Sequence, residues 1–153
     1  MGIISADITL NIPDFRSAER TFQLLTQAAG RAGRGDEQGE VIIQTCSPEN
    51  KAVMAAAGQD YLGFYRHEIA LREAVMYPPF SYLYQLIVSD EDDEKAQRSA
   101  NRCAQWLRKK LGEEAAVLGP VSPGLVKPGG LFRWQILIKA PAQKRHPVSE
   151  VVM

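Results

Sequence analysis

Hydrophobic and polar positions change period several times along the 153-residue chain, and each change marks an element. Residues 2 to 10, G-I-I-S-A-D-I-T-L, are short, apolar and β-branched, which predicts a buried strand leading into the loop N-I-P-D-F. Ala18, Phe22, Leu25 and Ala29 then recur at helical spacing, with Asp14 or Ser17 placed to cap the helix and Arg20, Gln23, Gln27 and Arg31 on the opposite face. E-V-I-I-Q-T, at 40 to 45, reads as a second buried strand. Strand, helix, strand in that order is an α/β unit and favours a parallel sheet with the helix packed across it. Residues 49 to 76 read as a helix in two pieces, broken near Gly58 and Gly63, with Phe64, Ile69 and Val75 among its apolar positions. Pro78-Pro79 closes this segment and marks the boundary between two modules.

The second module opens on F-S-Y-L-Y-Q-L-I-V-S, a strand with Tyr82, Tyr84, Leu86 and Val88 on one side and Leu83, Gln85 and Ile87 on the other. From about Asp92 to Leu111, Ala96, Ala100, Cys103, Leu107 and Leu111 form one helical stripe. V-L-G-P-V-S-P is a short strand, and L-F-R-W-Q-I-L-I-K-A a stronger one reached through K-P-G-G. Strand, helix, strand, strand is the order of a ferredoxin-like α+β sandwich without its last helix and strand, and H-P-V-S-E-V-V-M reads as the start of that helix. Both ends of the chain read as cut from something larger, since strand-like sequence begins at once after Met1.

Basic and acidic residues balance at 18 each, which excludes a uniformly basic coat for polyanions and leaves only local basic faces. Cys46 and Cys103 fit neither a metal knuckle nor a disulfide framework; both read as small core residues in a reducing, cytoplasmic setting. No apolar run reaches the roughly 20 residues that span a bilayer, so no membrane role is expected.

The chemistry concentrates in Thr26 to Asp36, T-Q-A-A-G-R-A-G-R-G-D. Gln27, Arg31 and Arg34 are spaced by four and then three, which sets all three on one edge if the helical path continues through Gly30 and Gly33. Glycines beside the arginines let other backbone or a ligand come close. The planar guanidinium fork suits phosphate, so the stretch reads as a phosphate grip. Elsewhere the acids at 90 to 94 read as a helix start favoured by the helix dipole. His67 and His146 have no partner pattern. Lys95, Arg98, Arg102 and Lys109, opposite the apolar stripe, read as solvated surface. Arg133, Gln135 and Lys139 alternate with Phe132, Trp134, Ile136 and Ile138, so Trp134 falls on the core side while Arg133, Lys139 and the nearby Lys127 are the candidates for nucleic-acid phosphates.

Q-A-A-G-R-A-G-R resembles the Q-x-x-G-R-x-x-R signature that is motif six of superfamily-two helicases. Its surroundings, A-D-I-T-L-N-I-P-D-F-R-S-A-E-R-T-F-Q-L-L-T, and the later Y-P-P-F-S-Y, V-L-G-P and R-W-Q-I-L-I-K are similar to the primosomal protein N′ (PriA) family of bacterial replication-restart helicases. That resemblance implies an α/β chain in three parts. Residues 1–50 would end the second RecA-like (P-loop NTPase) motor lobe, 51–78 would be a helical connector, and 79–153 would be an incomplete, ferredoxin-like DNA-binding domain. It implies that Arg31 and Arg34, supported by Gln27, reach the γ-phosphate of ATP across the cleft between lobes. Branched and single-stranded DNA, single-strand DNA-binding protein and other primosome proteins would be the partners. The parent would bind ATP with magnesium, and zinc in an insertion absent here. The chain lacks a G-x-x-x-x-G-K-[ST] loop and an acidic D-E-x-H box, so alone it is expected neither to hydrolyse ATP nor to unwind DNA. The alternatives are a non-catalytic nucleic-acid-binding module and a fragment of another superfamily-two helicase; Y-P-P-F and R-W-Q-I-L-I-K speak against the latter.

Overall fold

Two parallel strands of two residues each, β1 (Gly2–Ile3) and β2 (Ile42–Ile43), begin the fold in a computed structural model that describes residues 2–3, 5–32, 40–122, 128–144 and 151. The described residues fall into two compact units that divide between Leu71 and Arg72.

In the first unit the strand expected over 2 to 10 is much shorter. Ser5 takes φ 61° and turns the chain, Ala6 N–H reaches Gln44 O at 3.1 Å, and a short helix α1 (Asp7–Leu10) follows. Asp7 is the physical reason: its carboxylate accepts from Thr45 Oγ1 and from Cys46 N–H, both at 2.9 Å, which fastens it to the turn after β2 and leaves no extended path. The pairing of β1 with β2 is parallel, the arrangement that the element order favours. β2 is half-exposed and not buried, because its alternation turns Ile42 outward, 64% exposed, while Ile43 packs inward. The expected RecA-like lobe is not shown: the described part of this unit is a two-stranded ladder with its helices.

α2 (Ser17–Ala32) places Phe22 and Leu25 in the core, as the spacing requires. Asp14 sets up its start, accepting Arg16 N–H at 2.9 Å and pairing with Arg20 at 2.9 Å. Phe22 stacks on Phe64 with ring centres 4.3 Å apart. α3 (Lys51–Ala57) ends at Gly58, but Gly63 does not break the next helix, α4 (Tyr61–Ala74). Gly63 lies in the first turn, where its N–H is capped by Asp60 Oδ1 at 2.8 Å. The Asp60 carboxylate fills the space a side chain would take.

The second unit is a split β-α-β: β3 (Ser81–Asp90), α5 (Asp93–Leu111), β4 (Ala116–Val121) and β5 (Phe132–Pro141), with sheet order β3-β5-β4 and both pairings antiparallel. Ala96, Ala100, Ala104, Leu107 and Leu111 line the buried stripe of α5, and the small alanines let it lie close over Ile136, Ile138 and Ala140. Cys103 is half-buried at the margin of this core, whereas Cys46 is exposed, contrary to the expectation for it: a backbone held by Asp7 turns its side chain outward. Asp92 Oδ1 caps α5 through Lys95 N–H at 3.2 Å, so the acidic run starts a helix.

Candidate functional site

Gln27 and Arg31 stand one turn apart on the exposed edge of α2, in its last two turns. Between them Gly30 faces open space: an added Cβ would meet no described atom within 4 Å. Among the described residues packing gives no reason for a glycine in a helix, where it is less stable than alanine. Arg31 has no hydrogen-bond or ion-pair partner among the described residues. The edge therefore offers a guanidinium with no partner among the described residues and an amide, donors that suit a phosphate, beside a backbone that no described side chain covers. Arg34, the third member of the expected grip, lies outside the described residues, as does His146.

The sheet of the second unit carries the other candidates. Opposed residues in an antiparallel ladder share a face. Leu83, Gln85, Ile87 and Ser89 on β3 thus join Lys139, Leu137, Gln135 and Arg133 on β5, turned away from α5. Gln85 donates to Gln135 Oε1 at 2.9 Å, and Ile87, Leu118 and Val121 are 54%, 45% and 50% exposed. Arg133 has no partner among the described residues, but Lys139 is held: Nζ donates to Val75 O at 3.0 Å and lies 4.0 Å from the centre of the Tyr77 ring. Lys127 lies outside the described residues. Trp134 points to the α5 side, where its indole N–H donates to Asp93 at 2.9 Å. This face is apolar and amide-rich with one free cation among the described residues, and is no basic stripe.

Sequence reasoning missed two residues. Asp7 is one; the Cys46 N–H, and next the Thr45 hydroxyl, hold its carboxyl below the usual carboxylate range. A lone acid in an apolar β-branched stretch was the available signal. Trp106 is the other, an aromatic off the apolar stripe of α5 and 54% exposed. Among the described residues no group of His, Cys, Asp and Glu is arranged to hold a metal, and no helix is long and apolar enough to cross a membrane. His67 lies at an open cleft of about 480 Å³ between α3 and α4 with Lys51 and Asp60. Among the described residues no hydrogen bond or ion pair joins it to another side chain there, and Asp60 is engaged at the α4 cap.

The family model described as the primosomal protein N C-terminal domain matches residues 73–153, which contain nearly all of the second unit and more than half of the chain. The chain belongs to the primosomal protein N family. Curated relatives named replication restart protein PriA extend the likeness to both units. The one from Bacillus subtilis is 45% identical over 139 residues, 91% of this chain and 17% of the relative. That of Treponema pallidum is 42% identical over 142 residues, 93% and 22%, and that of Thermotoga maritima 39% over 143 residues, 94% and 19%. The chain thus spans about one fifth of the length of these primosomal relatives. Alignments that omit so few of its residues necessarily include Gln27 to Arg34.

Proposed function

We propose that the chain supplies motif six of the second RecA-like lobe, a helical connector and a truncated ferredoxin-like domain to an ATP-dependent 3′-to-5′ DNA helicase that acts in replication restart and primosome assembly in the bacterial cytoplasm. The observation that carries this reading is the α2 edge, where Arg31 and Gln27, with no partner for Arg31 among the described residues, flank a glycine whose missing side chain would meet no described atom within 4 Å. Such an edge fits the γ-phosphate of a nucleotide held mainly by another lobe. ATP with magnesium would supply the phosphoryl group; Arg31 and Arg34 would neutralise charge on it and Gln27 would orient it. The β3-β5-β4 order with both pairings antiparallel supports the ferredoxin-like assignment of the second unit. That unit would face branched and single-stranded DNA, with single-strand DNA-binding protein and other primosome proteins as partners. Zinc belongs to segments of the longer protein outside this chain.

The test uses a full-length helicase containing this segment. Arg31→Ala or Arg34→Ala is expected to lower DNA-stimulated ATP turnover by about 10³-fold, the scale of a lost transition-state arginine, while DNA affinity stays within about twofold. Loss of DNA binding with turnover per bound enzyme intact would instead favour a non-catalytic nucleic-acid-binding module.

A further inference from the structure

Helix α5 carries its largest apolar side chain on the outside. Alanines and leucines hold the helix to the sheet, while Trp106 lies off that stripe and is 54% exposed. Burying an indole is strongly favourable in water, so the packing of this unit does not explain its place. Helical spacing sets Arg102 one turn before Trp106, Lys109 and Lys110 one turn after it, and Lys95 three turns before it on the same side. All four cations are exposed, and none has an ion-pair partner among the described residues. Arg98 pairs with Glu94 at 3.1 Å, and Arg108 turns away to the carbonyls of Val117 and Gly119 on β4. From Lys95 to Leu111 the helix holds six basic residues and no carboxylate, in a chain whose charges balance overall. The helix dipole accounts for cations in the last turn. It accounts neither for Arg102 nor for an indole placed among them.

We propose that this face of α5 binds single-stranded nucleic acid, with a base stacked on Trp106 and neighbouring phosphates paired with Arg102, Lys109 and Lys110. Cations beside an exposed ring are the combination that grips a backbone while tolerating any base, because every base has a π-face. A single strand is required, since a duplex keeps its bases stacked inside. An acidic peptide would satisfy the cations and leave the indole without a role. The proposal deepens the function given above and rests on it only in taking the longer protein to act on DNA.

The experiment measures binding of a fluorescein-labelled oligothymidylate to the 153-residue chain by anisotropy, between about 50 and 200 mM salt, where phosphate contacts are most visible. A Trp134→Phe background lets intrinsic fluorescence report Trp106 alone. Expected are quenching of Trp106 on binding, about tenfold weaker binding for Trp106→Ala, and near-normal binding for Trp106→Phe, as sequence-tolerant stacking implies. Replacing Arg102, Lys109 and Lys110 together by Gln should lower the slope of log K against log salt by about 2, near 0.7 for each lost phosphate contact. Unchanged affinity and slope in these exposed-site variants would overturn the proposal while leaving DNA binding elsewhere in the chain. Absence of binding by the unaltered chain at the lowest salt would also overturn it, with the ATP-turnover test judging the function separately. Retained oligothymidylate binding with loss of an oligoglutamate peptide would identify a protein-docking face and overturn it equally.

Discussion

The ammonium of Lys139 lies 4.0 Å from the centre of the Tyr77 ring. It also donates to Val75 O at 3.0 Å, so a residue of β5 grips the segment leading into β3. Ser81 Oγ, donating to Met76 O at 2.6 Å, and Tyr77 N–H, donating to Arg72 O at 2.8 Å, hold the same segment. A lysine engaged in this way has little freedom to follow a DNA backbone. Lys139→Gln is therefore expected to destabilise the second unit by about 1 kcal/mol, the scale of a cation–π contact with one charged hydrogen bond partly in water. Oligonucleotide affinity should barely change. Urea unfolding beside anisotropy checks this, and unchanged stability with weakened DNA binding would return Lys139 to the list of DNA contacts.

Asp7 gives the first unit a defined response to acid. Hydrogen bonds from Cys46 N–H, and next from the Thr45 hydroxyl, favour its charged form, so the folded pKa lies below that of the unfolded chain. The stabilisation is fully present above the unfolded value of about 3.9. It is lost as pH falls through the folded pKa. Asp7→Asn should lower the melting temperature at neutral pH and narrow the gap between the two proteins as pH drops below about 4. Thermal melts of both from neutral to acid pH test this. Parallel curves throughout would mean that the hydrogen bonds at Asp7 do not depend on its charge.

Legibility of this fold followed the length of each periodic run. The stripe of α5 and the alternation in β3 and β5 extend over many residues, so packing confirms them through Leu107, Leu111, Ile136 and Ile138. Residues 2 to 10 are too few for period to decide, and one long-range contact from Asp7 to Thr45 and Cys46 turned an apparent strand into a helix. Gly63 was misread because glycine as breaker and glycine beneath a cap look alike until Asp60 is seen to occupy its missing side chain. At the candidate site, the spacing of Gln27 and Arg31 was legible since four residues on a helix fix a shared edge. Lys139 was harder: alternation gives its face but says nothing of Val75 and Tyr77. Trp106 belongs to no repeat: a single aromatic outside the apolar stripe of α5 leaves no period for spacing to reveal.

Two glycines should respond to alanine in opposite directions. Gly30 lies within α2 and an added methyl group meets no described atom within 4 Å, so Gly30→Ala should stabilise the first unit by about 0.5 to 1 kcal/mol through helix propensity. Gly119 in β4 has φ 90°, and its Cβ would stand 2.8 Å from the backbone oxygen of Gln135, a group fixed in the neighbouring strand. Gly119→Ala should cost the second unit about 2 kcal/mol or more, from backbone strain together with the forced shift of β5. Urea unfolding of the two variants separates the cases. Stabilisation by Gly30→Ala has a further meaning, for it would show that this chain gains nothing from the glycine. If the α2 edge is the phosphate grip proposed above, the same change in the full-length protein should slow ATP turnover, because the added methyl group would stand where the phosphate approaches Arg31. A Gly30→Ala protein that is both more stable and fully active in turnover would remove that reason for the glycine, and with it the main support for the α2 edge as a phosphate grip.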